Sequence, residues 1–176
     1  MLNDWIKRLA PHTAPLLVLA SIAALGSAYT FQYFGYEPCT LCYYQRYPYM
    51  AVILMSGAAW MLSRDGSAHA RLVLLLVAAS IAALFLDAGI AGFHVGVEQK
   101  WWEGLATCGG GSGGGSDGSI EDLLQQMQGI KLVRCDEAAW TLFGISMAEY
   151  NMLLALGTGA FGLLAWPHFR KRTTSQ

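Results

Sequence analysis

Leu72–Phe93 reads LVLLLVAASIAALFLDAGIAGF, with one ionisable residue, Asp87, in the whole run. Polar residues do not alternate along it as an amphipathic surface helix requires. A bilayer crossing takes roughly 20 predominantly apolar residues, and this stretch supplies them. Three further stretches are nearly free of charge: Ala14–Tyr36, Tyr47–Ser63 and Tyr150–Phe169. The first and last are long enough to cross. The second is short unless its helix reaches back toward Leu41. Buried helices of a water-soluble bundle are the alternative, and the missing polar faces argue against it. The expected fold is an all-α membrane protein, a single domain over residues 1–176 arranged as a four-transmembrane-helix bundle. Its spans fall at about 14–35, 42–63, 72–93 and 145–166, with outer loops at about 36–41 and 94–144.

Composition agrees. Hydrophobic residues make up 55% of the chain and charged residues 13%, with a mean hydropathy of +0.38; a soluble domain carries about 25% charged residues. The net charge of −1 leaves no basic surplus to neutralise phosphates, which argues against nucleic acid.

Lys and Arg set the orientation. With the N-terminus inside, the inner segments hold Lys7, Arg8, Arg64, Arg71, Arg170, Lys171 and Arg172, and the outer ones Arg46, Lys100, Lys131 and Arg134. That excess follows the positive-inside rule with both termini cytoplasmic. Trp101, Trp102, Trp140 and Trp166 stand where interfacial indoles are favoured. A cleaved signal peptide is the competing reading of Lys7-Arg8, the apolar run after it and Gly26-Ser27-Ala28. The run continues through Phe31, Tyr33 and Phe34, too long for a typical signal core.

All four cysteines then fall on the outer side: Cys39 and Cys42 in the first loop, Cys108 and Cys135 in the second. An even number of cysteines confined to one face indicates an oxidising compartment. In the second loop Cys108 opens a glycine-rich run, Gly109–Ser116, expected to behave as a flexible coil. Ser119 can cap a short helix ending at Gly129, with Ile120, Leu123, Leu124 and Met127 on one face. It is expected to lie at the membrane interface or on the bundle.

Cys39-Thr40-Leu41-Cys42 carries the chemistry. Structural zinc takes four Cys or His ligands, and no second C-x-x-C exists, so no metal is expected. As a static staple the pair would close too small a loop to stabilise much. As a redox pair it has physical support. If the second span begins near Leu41–Tyr43, Cys42 sits at a helix N-terminus, which favours an anion. Arg46 is i+4 from Cys42, so its cation favours the thiolate, or donates to a carbonyl of a bound quinone. Snorkelling to headgroups is its plain alternative. Pro48 threatens this geometry, because a helix starting there would leave both residues outside. His94 closes the third span on the outer surface and can supply a proton near neutral pH, or simply sit at the interface. Asp87 lies seven residues before His94, roughly on the same face, and a carboxyl within a span faces a partner or a cavity. A Cys108–Cys135 disulfide beside the glycine coil is expected to be accessible and exchangeable, or else structural.

These features resemble the DsbB family, bacterial inner-membrane thiol:quinone oxidoreductases. Pro38-Cys39-Thr40-Leu41-Cys42-Tyr43-Tyr44-Gln45-Arg46 is the most specific piece, and Cys135–Gly144 resembles the family's approach to its last span. Gln45 stands where an acidic residue can occur, and Pro48 and the glycine run depart from the pattern. The resemblance implies that Cys39–Cys42 is oxidised by ubiquinone or menaquinone, with Cys42 nearest the ring and Arg46 and His94 in contact with it. It implies that Cys108–Cys135 oxidises a periplasmic thioredoxin-fold partner similar to DsbA, Cys108 being attacked first. Electrons would run from partner to Cys108–Cys135, to Cys39–Cys42, to quinone, supporting protein disulfide formation. The vitamin K epoxide reductase family also combines four spans, loop cysteines and a C-x-x-C, but with the loop pair first in the chain. A disulfide-stapled membrane transporter or scaffold without redox turnover is the alternative from another class.

Overall fold

The computed structural model describes residues 2–64, 69–105, 108 and 134–175. The chain runs through a short helix α1 (Leu2–Leu9), a 3-10 turn (Ala10–His12), α2 (Thr13–Tyr33), α3 (Thr40–Leu62) and α4 (Ala70–Glu98). A two-stranded hairpin, β1 (Thr141–Leu142) and β2 (Ile145–Ser146), then leads into α5 (Met147–Ser175). Among the described residues, three helical segments are long and apolar enough to cross a membrane: Asp4–Tyr33, Ala70–Glu98 and Met147–Ser175. The sequence suggested four such stretches. At 23 residues α3 has the length, but its first half carries Gln45, Arg46 and five tyrosines or prolines, which lower its hydropathy. The expected helix over 119–128 lies outside the described residues.

α3 packs between α2 and α4, and α4 packs against α5. Their shared core holds Leu17, Tyr49, Val52, Val73, Val77, Ile81, Leu84 and Phe169. Small residues bring the last two helices together. A Cβ built on Gly162 would stand 2.7 Å from Ile81 Cγ1, and one on Gly159 would stand 3.2 Å from Phe85 Cε2. Such residues let apolar helices approach closely without a hydrophobic driving force. Ser56 and Ser80 hydrogen-bond across α3 and α4 at 2.9 Å.

Helix ends decide where the outer residues sit. α2 stops in a Schellman turn: Tyr36 N–H donates to Phe31 O, Gly35 N–H to Gln32 O, and Gly35 takes a φ of 92°. A left-handed residue at this position favours glycine. The chain then extends to Cys39, whose backbone caps α3 in the β region. Pro48 lies inside α3 and does not start it, so Cys42 and Arg46 share one helical face. The missing N–H leaves Tyr44 without its usual helical donor.

At its far end α4 continues past Phe93 to Glu98, which lifts His94 out of the expected loop onto a helix. Trp102 fixes that end. Its ring packs onto Gly96, where a Cβ would clash with it, and its Nε1–H donates to Phe93 O at 3.0 Å. The hairpin turns on Phe143 and Gly144, both at positive φ, the arrangement that matches strand twist in a two-residue turn. Ser146 and Glu149 then form a capping box: Ser146 N–H donates to Glu149 Oε2 at 2.7 Å, and Glu149 N–H to Ser146 Oγ at 3.2 Å.

Candidate redox site

Cys39 and Cys42 are free thiols with their sulfurs 3.0 Å apart. The capping sulfur is that of Cys39: Cys42 N–H donates to it at 3.3 Å. Cys42 is the third residue of α3, at the helix N-terminus as the sequence suggests, and Cys39 three residues before it supplies the cap. α3 begins at Thr40, just before the start expected near Leu41–Tyr43. His94 Nε2 lies 3.5 Å from the same sulfur. These contacts hold the Cys39 thiol far below its ordinary value, at about 4, with the Cys42 thiol contributing most, burial opposing, and His94 adding to the effect.

Arg46 is buried on α3, yet it turns away from the thiols. Its Nη1 donates to Gln32 Oε1 at 2.8 Å, and its guanidinium stacks over Tyr29 and Tyr43, with centroids at 4.7 and 5.0 Å. Among the described residues its Nε has no hydrogen-bond partner. Arg46, Cys42 and His94 line one apolar cavity of about 300 Å³, together with Gln45, Trp140 and Asn151. Cys42 opens onto this cavity and Cys39 does not. A buried cation with an unused donor beside an apolar hollow suits a flat, apolar ring bearing carbonyl oxygens. The residues therefore fit a quinone.

The second cysteine pair is joined. Cys108 and Cys135 form a disulfide with Cα atoms 5.4 Å apart. The sequence leaves this bridge either accessible beside the glycine run or structural, and in the fold both cysteines are buried, packed in one cluster with Cys39, Leu41, Val97 and Cys42. Val97 enters this cluster because α4 runs on past Phe93, and so supplies a wall that the sequence assigned to a loop. Arg134 is held in a two-pronged ion pair with Asp136 at 2.8 and 2.9 Å. Lys131 lies outside the described residues.

His94 is the hub. Its Nδ1 accepts from Gln45 Nε2 at 2.9 Å, its Nε2 faces Cys39 and lies 3.7 Å from Glu98 Oε1, and the Cys135 backbone also touches the ring. Cys39, Cys42 and His94 place three ligand atoms within 4.8 Å of one another, one short of the four a structural zinc takes. Sequence reasoning missed Gln45, Glu98, Trp140 and Asn151 as site residues. For Glu98 the signal was present: it is i+4 from His94, one turn farther along the same face. Trp140, which the sequence suggests for the interface, lines the cavity with its ring 4.8 Å from that of Phe31.

Membrane-length apolar helices, a free thiol pair with one sulfur of low pKa, a disulfide packed against it and an apolar cavity define a membrane protein built for thiol–disulfide chemistry. Comparison makes this specific. The family model of the disulfide bond formation protein DsbB matches residues 10–165, and the chain belongs to that family. It is similar to the disulfide bond formation protein B of Psychrobacter sp., 30% identical over 166 residues, covering 90% of this chain and 92% of the relative. It is also similar to that of Methylococcus capsulatus, 34% identical over 146 residues, 82% and 86%. The uncharacterized protein RP370 of Rickettsia prowazekii is 31% identical over 140 residues, 79% and 77%. No solved structure matches. Membership implies a disulfide-forming oxidoreductase of the bacterial membrane.

Proposed function

We propose that this chain reoxidises a periplasmic thioredoxin-fold dithiol protein similar to DsbA and delivers the electrons to membrane ubiquinone or menaquinone. One observation carries the reading: Cys39 shares a buried cluster with Cys108 and Cys135, against which Cys42 also packs, while Cys42 alone of the motif pair opens onto the cavity with Arg46 and His94. The two sulfurs of one motif thus face the two partners of a relay.

The exchange balances as follows. A partner thiolate attacks Cys108, and the partner's second thiol then resolves the mixed disulfide, leaving the partner oxidised and Cys108 and Cys135 reduced. One of these thiolates attacks oxidised Cys39–Cys42 at Cys39, the sulfur it packs against, and Cys42 is released toward the cavity. The other thiol of the loop pair then attacks its mixed-disulfide partner and expels Cys39. A thiol of low pKa is the better leaving group, and the contacts to Cys42 N–H and His94 give Cys39 that property. Two electrons and two protons now reside on Cys39 and Cys42. A quinone, when bound, accepts both. Arg46 Nε offers it a hydrogen bond, and His94 holds a proton on the side facing the thiols.

The reading places the chain in the bacterial inner membrane as one domain. α3 would form the fourth span, both termini would lie in the cytoplasm and all four cysteines on the periplasmic side. The test is reduction of a soluble quinone by the purified protein with a reduced thioredoxin-fold donor. Cys39→Ser and Cys42→Ser are each expected to abolish it. Full activity in both variants would overturn the reading in favour of a stapled membrane scaffold.

A further inference from the structure

Asp87 is fully buried on α4, within the most apolar stretch of the chain. An ionisable group there is costly and faces a partner or cavity. Its Oδ2 accepts from Asn151 Nδ2 at 3.1 Å, while Oδ1 has no partner among the described residues. Asn151 Nδ2 also donates to Gln45 Oε1 at 2.8 Å, and Asn151 Oδ1 accepts from the Tyr49 hydroxyl at 2.8 Å. Gln45 in turn presents Nε2 to His94 Nδ1 at 2.9 Å. Four side chains from α3, α4 and α5 thus join the middle of α4 to the redox site. Asp87 and His94 are seven residues apart, about 10 Å along the helix axis.

We infer that Asp87 fixes the tautomer of His94 through Asn151 and Gln45. The logic runs along the donors. A carboxyl oxygen accepting at Asp87 requires an N–H from Asn151, so the Asn151 amide cannot turn over. Its Nδ2 then meets the carbonyl oxygen of Gln45, which leaves the Gln45 NH2 facing His94. Nδ1 of His94 must therefore be an acceptor, and its proton sits on Nε2. Nε2 is the atom facing Cys39 Sγ and Glu98 Oε1. A neutral imidazole carries one donor and one acceptor nitrogen, and which is which follows from the bond the other nitrogen makes. Asp87 is thus a positioning residue: it aims the His94 proton at the thiol pair without touching it. Besides Gln45, the groups around the ring are Cys39, Glu98 and the Cys135 backbone. Cys39 and Glu98 accept on the Nε2 side and favour the same tautomer, while Gln45 is the group that meets Nδ1 and requires it to accept. The step from tautomer to turnover rests on the proposed redox function; the tautomer itself does not.

The full-length reduced protein, labelled with 15N at histidine in detergent micelles, reports the tautomer directly, with the His94 signals assigned by their loss in His94→Leu. The wild type is expected to show an unprotonated Nδ1 and a protonated Nε2. Asp87→Leu and Asn151→Leu are each expected to shift the ring toward Nδ1–H. Asp87→Asn keeps an acceptor oxygen and is expected to retain most of the Nε2–H form. In quinone reduction, Asp87→Leu is expected to lower kcat about tenfold, the worth of one hydrogen bond to a charged group, with KM little changed. A protonated, neutral-ring Nδ1 in the wild type overturns the inference. So does an unchanged tautomer in a folded leucine variant, and Asn151→Leu decides if Asp87→Leu fails to fold. A wild type with the Nε2–H tautomer and no quinone reduction would instead remove the proposed function and leave the relay standing.

Discussion

Cys39 Sγ and His94 Nε2 lie 3.5 Å apart, although 55 residues separate them in the chain. Cys39 caps α3, and His94 rides on the last turn and a half of α4, so the contact exists only because those two helices pack. It gives the C-x-x-C pair an asymmetry that four residues of sequence do not contain. One thiol is capped, hydrogen-bonded and of low pKa; the other opens onto the cavity.

This asymmetry sets a pH dependence. Cys39 has a depressed folded pKa, about 4. Its thiolate therefore contributes stability to the reduced protein that is present in full above the ordinary thiol pKa and is lost as pH falls through about 4. Alkylation of Cys39 in the reduced wild type, followed by mass spectrometry of the peptide that carries it, is expected to stay fast from neutral pH down to about pH 5. His94→Leu is expected to move that fall to higher pH. An ordinary thiol profile in the wild type would show that the capping contacts do not act.

Arg46 is expected to serve the cavity more than the thiols, because its side chain points to Gln32, Tyr29 and Tyr43. Arg46→Gln is expected to raise the quinone KM about tenfold, consistent with losing one charged hydrogen bond. Cys39 alkylation is expected to change little. A normal KM with slowed alkylation would return Arg46 to the role that its i+4 spacing first suggested.

The hairpin and α5 depend on a local device. Glu149→Ala removes one half of the capping box with Ser146 and is expected to cost about 1 kcal/mol, read as a lower thermal midpoint of the purified protein. Glu149→Gln, which keeps an acceptor oxygen for the Ser146 N–H, is expected to recover most of the loss.

Close approach of α4 and α5 rests on glycine. Gly162→Leu would drive a side chain into Ile81 and is expected to cost about 1–3 kcal/mol by overpacking. Gly157→Ala, where a Cβ meets nothing within 4 Å, is the matched control and is expected to melt like the wild type. Equal midpoints for the two variants would mean that the helices are not held as tightly as the structure shows.

The apolar runs and the Pro-Cys-x-x-Cys segment were plain in the sequence, because membrane length and motif spacing are local properties. Ser146-Met147-Ala148-Glu149, at the start of the expected last span, was equally readable as a capping box. What the sequence could not supply was partner choice. Arg46 lies one turn from Cys42 by spacing, but it stacks on tyrosines from two helices. Cys108 stands beside a glycine run, but it and Cys135 are buried in one cluster with Val97 and Leu41. Asp87 and His94 shared a face by count, while the amides that join them come from α3 and α5.

The sequence by itself determined a membrane chain with its thiols on one face, since hydropathy, charge bias and cysteine position are carried residue by residue. Only the tertiary structure decided which thiol is activated, which opens onto the cavity and how Asp87 reaches His94. Those are contacts a few ångströms long between residues tens of positions apart, and helix packing alone sets such distances.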